Sequence, residues 1–360
     1  MSWADWVSRQ SQAVRAAGQW REVRDVDGPP PVSFASNDYL GLTRHPAVVA
    51  AAAAALERWG TGAGSARLVA GSRPVHSELE AELASWKTTE AALLFPTGYA
   101  ANLGVLDTLG GPDVTVFSDE RNHASIIDGC RLSRAQVEVY RHRDVDHLRA
   151  MVERAGEKDR RLLVVSDTIF SMDGDVAPVA ELAGICAGRG ALLVLDEAHA
   201  VLGPEPELAG VDHLRVGTLS KTLGALGGFV AGTRAFVDLL VNRARPFIFT
   251  TASPPADAAA ALAAVRVLRS AEGEALVARL RGHVERVAPG HPSPVVPVVL
   301  GSEERVLAAA AALLERGLLV PAIRPPTVAP GTSRLRVSLS AAHTDEQVAD
   351  LVEALGAVTA

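Results

Sequence analysis

The chain has 360 residues, 48% of them hydrophobic and only 4% aromatic, with a formal net charge of −7. That much apolar surface excludes wholesale disorder, and mixed, mildly acidic charge argues against a general nucleic-acid surface. The longest apolar run, 47–56, is too short to span a bilayer, so a cytoplasmic protein is expected.

The first domain-like stretch, 1–45, reads as an N-terminal segment. It has a helix-like run over 3–20, the turn-rich Asp27-Gly28-Pro29-Pro30-Pro31, and then Ser36-Asn37-Asp38-Tyr39-Leu40-Gly41-Leu42. From residue 46 helical patterns (46–59, 74–87) lead into short apolar runs at 91–95, 114–117, 137–140, 162–165, 191–195, 214–217 and 228–231. Strands of this kind, alternating with helical stretches such as 178–189, predict an α/β fold. Its sheet is mainly parallel and covered on both faces. This large domain is expected over 46–255. An Ala-rich helix to about 270, short strands at 295–300 and 335–339, and helices at 302–316 and 344–356 suggest a smaller α+β domain over 256–360.

In open α/β sheets ligands bind beyond the carboxyl ends of the strands. The residues following the expected strands are Thr97-Gly98-Tyr99, Asp119 with Asn122-His123, Ser171 to Asp175, Asp196-Glu197-Ala198-His199, and Thr218-Leu219-Ser220-Lys221. Only three lysines occur, Lys87, Lys158 and Lys221. Lys221 sits among glycines in a largely apolar context, where an amine can serve as a Schiff-base former. Lys87 and Lys158 read as solvated surface lysines. Asp196 ends an apolar strand, where a carboxylate needs a cation or a donor; helix capping is the structural alternative. Gly98-Tyr99 opens a helix whose free N–H groups can hold a phosphate. Asp196-Glu197-Ala198-His199 also spells a helicase box, but no lysine follows a phosphate-loop pattern. Cys130 and Cys186 have no disulfide or metal spacing, and no metal is expected. A Schiff-base lysine, a ring-nitrogen carboxylate, a phosphate site and an imidazole for stacking together point to pyridoxal 5′-phosphate, PLP.

With these residues the chain resembles the α-oxoamine synthases of the PLP fold-type I (aspartate-aminotransferase-like) superfamily over nearly its whole length. The motifs are 36–42, Gly60-Thr61-Gly62-Ala63-Gly64-Ser65-Ala66-Arg67-Leu68, Asn122-His123-Ala124-Ser125-Ile126, Phe170 through Asp175, 196–199, 218–221, Ile323-Arg324-Pro325-Pro326-Thr327-Val328 and 334–337. The 323–328 segment looks more like the biotin-pathway branch than the glycine-using relatives. That branch joins L-alanine to a pimeloyl thioester of CoA or acyl carrier protein. Glycine C-acetyltransferase and 5-aminolevulinate synthase represent the alternative.

The resemblance implies that Lys221 holds PLP, Asp196 pairs with the ring nitrogen and His123 stacks on the ring. It places Ser171 and His199 near the phenolic edge, and Gly98, Tyr99 and Thr218 at the phosphate. Arg336 would bind the amino-acid carboxylate. Arg21, Arg324 and Thr327 would line the substrate site, with Arg21 on the acyl side. A homodimer is implied, with Thr250 or Thr251 reaching the neighbouring subunit's phosphate. One departure stands out: after His199 the family's Gly-Thr-Gly or Ala-Thr-Gly is replaced by Ala200-Val201-Leu202-Gly203, and the stretch to Lys221 is shorter.

Overall fold

The computed structural model describes all residues except 22, 24–30, 156–159, 204 and 360. Lys158 and most of the 27–31 turn lie outside the described residues.

All seven expected strands join one sheet: β1 (Ala91–Phe95), β2 (Val114–Asp119), β3 (Gln136–Tyr140), β4 (Arg161–Asp167), β5 (Leu192–Asp196), β6 (His213–Thr218) and β7 (Gly228–Gly232). Their spatial order is β1-β7-β6-β5-β4-β2-β3. The run from β6 to β3 is parallel, and β7 lies antiparallel to both its neighbours. The near-continuous apolar strands follow from burial on both faces. On one face Leu163, Val165, Val194, Val216 and Val230 pack with Val105, Leu106 and Ile126 of helices Gly98–Leu109 and Ala124–Leu132. On the other, Val164, Leu193 and Leu195 pack with Leu148, Val152, Leu182 and Ile185 of helices Val145–Ala155 and Val179–Arg189.

The chain divides into two compact units, one of 36–296 with 338–349 and one of 1–35, 297–337 and 350–360. This differs from the division expected at 45/46 and 255/256. Helix Pro255–Leu268 packs on helices Pro46–Trp59 and Pro74–Trp86, which places it with the large unit. Its buried stripe of alanines lets the three backbones approach closely. Residues 36–45 also join the large unit, where Tyr39 and Leu42 are fully buried. The smaller unit holds a three-stranded sheet, ordered Ala322–Ile323, Ser333–Ser338, Val295–Gly301, whose last two strands begin or end in the large unit. The same unit holds a parallel pair, Val32–Ser33 with Leu318–Leu319, and helices Trp3–Ala16 and Glu303–Glu315. Among the described residues no helix is long and apolar enough to cross a membrane.

Candidate active site

The carboxyl ends of β2, β4, β5 and β6 deliver their polar residues to one cavity of about 240 Å³. Its lining includes Gly98, Tyr99, His123, Ser171, Asp196, His199, Thr218 and Lys221. All eight residues read as a cofactor site from the sequence are thus brought together.

Local chemistry explains their placement. Thr97 caps the 98–109 helix, its hydroxyl accepting the Ala100 N–H at 3.0 Å. The first helical N–H groups have no intrahelical acceptor and carry the positive end of the helix dipole. Gly98 packs closely on β6: a Cβ there would lie 3.2 Å from Thr218 Cβ, a tight contact that would press on Thr218. After β6 the chain folds back on itself. Ser220 N–H donates to Thr218 Oγ1 at 3.1 Å and Gly224 N–H to the Lys221 carbonyl at 3.0 Å. Gly224 has φ +62°, and a Cβ would come within 2.6 Å of Thr43 N, so the loop carrying Lys221 requires glycine.

Asp196 is 6% exposed and ends β5. One oxygen accepts the Ala198 N–H at 2.9 Å and the other the Asn102 amide at 2.7 Å. No described cation forms an ion pair with it. A buried carboxylate satisfied only by neutral donors leaves a cation's place open on the cavity side. The Asn102 Oδ1 atom beside it is buried without a partner in the protein. Together with the tight Gly98 cradle and the Lys221 amine, this donor set fits PLP: an amine for its aldehyde, a carboxylate for its ring nitrogen and a helix N-terminus for its phosphate.

Asp167 ends β4 directly beside Asp196 in the ladder. Burial, reinforced by the Asp196 charge, holds its carboxyl pKa well above the ordinary range. Asp167 is therefore the carboxyl of the pair that burial pushes towards its neutral form. Asp167 also accepts the His123 N–H at 2.8 Å, while its own N–H donates to Asn122 Oδ1 at 2.9 Å. This exchange fixes the entry to the 124–132 helix. Desolvation lowers the His123 pKa below the usual histidine range; the Asp196 charge opposes this and the Lys221 cation adds to it. Its Nδ1 accepts the Ser125 N–H at 3.2 Å, so the neutral ring carries its proton on Nε2.

Tyr39, Asn102, Ser125 and Asp167 were not singled out by sequence. Asn102 and Asp167 did carry a signal: each is a polar residue in an otherwise apolar element. Tyr39 lies in the 36–42 motif, but nothing local shows that it meets His199 across 160 residues of sequence. Lys87 corrects the sequence expectation outright. It is 4% exposed, and its Nζ lies 2.8 Å from Glu197 Oε2 and 3.8 Å from the Trp86 ring centroid. At the C-cap of the 74–86 helix its stem is drawn inward by a buried carboxylate that lies far away in sequence.

The remaining expected residues lie elsewhere. Arg21 donates to Thr327 Oγ1 at 3.2 Å, and Arg324 donates to the carbonyls of Gly18 and Trp20. These three border a cavity of about 630 Å³ within the smaller unit, with Leu307, Ala310, Leu314 and Val320 among its apolar walls. Arg336 is buried on strand Ser333–Ser338 and is not part of that lining. Thr251 forms an isolated bridge with Ala66, and Thr250 lines a small cavity together with Arg67 and His76.

A parallel-cored sheet delivering a lysine, an aspartate and a histidine to one pocket defines a class. The chain belongs to the aminotransferase class I and II family, whose model matches residues 29–355. Within it, its relatives include 8-amino-7-oxononanoate synthases. That of Anaeromyxobacter dehalogenans (strain 2CP-1 / ATCC BAA-258) is 52% identical, covering 98% of this chain and 95% of that protein. That of Alkalilimnicola ehrlichii is 49% identical over 98% and 97%. Among solved structures, serine palmitoyltransferase from S. paucimobilis with PLP and myriocin bound superposes with a TM-score of 0.90. It is 31% identical and covers 98% of this chain and 96% of that one. The 8-amino-7-oxononanoate synthase of Francisella tularensis gives 0.75 at 26% identity, over 91% and 97%. The resemblance to α-oxoamine synthases read from the motifs is borne out.

Proposed function

We propose that this chain is a PLP-dependent acyltransferase. It condenses L-alanine with a pimeloyl thioester, releases CO₂ and free thiol, and forms 8-amino-7-oxononanoate for biotin biosynthesis. The observation that carries the reading is the meeting of Lys221 and Asp196 in one cavity of a chain half identical to enzymes of that name. When bound, PLP supplies an electron sink for the carbanion at the amino acid's Cα.

The chain's residues then have distinct tasks. Lys221 would hold the cofactor, and its amine would also serve as the base that takes the amino acid's Cα proton. Asp196 keeps the ring nitrogen protonated, and Asn102 orients that carboxylate. Gly98, Tyr99 and Thr218 receive the phosphate, while Ser171 and His199 face the phenolic edge. His123 would stack on the ring and would offer its Nε2–H to the acyl oxygen, a donor where negative charge develops. Arg336 binds the alanine carboxylate, for which a guanidinium fork is suited. Arg21, Arg324 and Thr327 serve the substrate, with Arg21 on the acyl side. A cytoplasmic homodimer, with Thr250 or Thr251 reaching the neighbouring subunit's phosphate, completes the reading; the acyl carrier is CoA or acyl carrier protein.

The deciding experiment is a matrix of amino acids (alanine, glycine, serine) against acyl thioesters (acetyl, succinyl, pimeloyl, palmitoyl), scored for CO₂ and free thiol. Turnover confined to alanine with a pimeloyl thioester is expected. Preference for glycine or serine would move the chain to another branch, and no turnover with any thioester would overturn the reading.

A further inference from the structure

Asp196 and Glu197 are consecutive, and their side chains part to opposite sides of the strand end, as alternation along a strand requires. Asp196 lines the cofactor cavity, whereas Glu197 lines a second cavity of about 180 Å³. Ala198, Gly217 and Thr218 line both, so the partition is one layer of chain thick. Behind that partition stands a closed ring of charges. Arg215 Nε donates to Glu197 Oε1 at 2.6 Å, Lys87 Nζ lies 2.8 Å from Glu197 Oε2, and Arg215 Nη1 donates to the Lys87 carbonyl at 3.0 Å. All three side chains are no more than 6% exposed. Glu205, on the shortened connection after His199, pairs with Arg215 and reaches Lys87 Nζ at 3.7 Å; it is 60% exposed. Two cations meet two anions, and none of the four lines the cofactor cavity.

A buried ion cluster is a poor source of net stability compared with apolar packing, because desolvation offsets the attraction. What it supplies is a fixed position. Glu197 is pinned by its side chain and by its N–H, which donates to the Val216 carbonyl at 2.8 Å. The turn 196–199 and the end of β6 are therefore held from behind.

We infer that Lys87, Glu197 and Arg215, latched by Glu205, are positioning residues that hold Asp196 and Thr218 where the cofactor needs them. The inference rests on the PLP reading above. It also assigns a role to the departure from the family pattern after His199: the shorter connection brings Glu205 to the cluster.

The test uses the full chain. PLP affinity and the pH at which the visible band of bound PLP interconverts are measured, alongside thermal unfolding of the PLP-free protein. Lys87→Met/Glu197→Met leaves Arg215 balanced by Glu205 and fills the space with apolar atoms. It should unfold near the wild-type temperature, yet bind PLP about tenfold more weakly with a displaced band transition. Glu205→Gln alters one largely exposed side chain and gives a reading whether or not the double variant folds; a severalfold weaker PLP affinity at unchanged unfolding temperature is expected. Wild-type affinity and band transition in Glu205→Gln, or in a folded double variant, would overturn the inference while leaving the cofactor reading intact. A wild-type protein that takes up no PLP would overturn both.

Discussion

Lys221 Nζ lies 3.0 Å from His199 Nε2, and the other nitrogen of that ring meets the Tyr39 hydroxyl at 2.5 Å. Where the Lys221 amine donates to Nε2, Nδ1 carries the imidazole's proton and donates it to the Tyr39 oxygen. Tyr39 in turn donates to Asn37 Oδ1 at 3.1 Å. The amine is thus aimed by a line of three side chains, two of them in a segment that reads from sequence as an appendage.

Tyr39→Phe removes the acceptor for that Nδ1 proton in a buried setting. An unsatisfied buried polar group costs about 1–3 kcal/mol, so kcat should fall roughly tenfold with alanine KM little changed. Equal kcat in wild type and variant would show that His199 does not need Tyr39 to orient the amine.

Lys221→Ala should abolish borohydride-trapped PLP and lower turnover by at least about 10²–10⁴, the usual worth of a positioned proton-transfer group. Peptide mapping of the reduced wild type should label Lys221. Label on Lys87, which is engaged with Glu197, would contradict the assignment.

Asp196→Asn should leave the fold intact, since its oxygen can still accept the Ala198 N–H while Asn102 turns its unpartnered Oδ1 to accept from the new NH₂, but lower kcat on the order of 10²–10³. Asn102→Ala should lower it by less, because it removes only a partner of that carboxylate. A variant order with Asn102 the more damaging would reverse these roles.

His142 bridges Asp119 at 2.9 Å and Asp175 at 2.7 Å, with the Arg143 guanidinium also on Asp175. Burial opposes its charge, but the two carboxylates outweigh this and hold its pKa at about 9. A folded pKa above the unfolded value near 6.5 means stabilisation fully present below about pH 6.5 and lost as pH rises through about 9. By linkage this is worth roughly 3 kcal/mol. Urea unfolding from pH 6 to 10 should show that loss in wild type and not in His142→Gln. Parallel curves for the two proteins would remove His142 from the account.

Alanine deuterated at Cα should exchange its label with solvent during turnover, because proton removal by Lys221 precedes loss of CO₂. Deuterium retained in the product would mean direct decarboxylation.

Some of this was legible in the chain alone. Seven apolar runs fixed the sheet, because strands covered on both faces must be apolar throughout. Lys221 and Asp196 stood out because a polar group that ends such a run, or sits among glycines, has a cost that local structure does not repay. The same logic reached Gly98 and Thr218 through the strand-end rule. It failed for Lys87, whose surroundings in sequence are polar and whose carboxylate partner is 110 positions away in the numbering. It gave no hint that Tyr39 would reach His199, that the Asp167 carboxyl would be pushed up in pKa beside Asp196, or that helix Pro255–Leu268 would join the large unit. Amphipathic periodicity records that a face is buried but not against what, and a side chain's protonation is set by charges that only tertiary packing brings within a few ångströms.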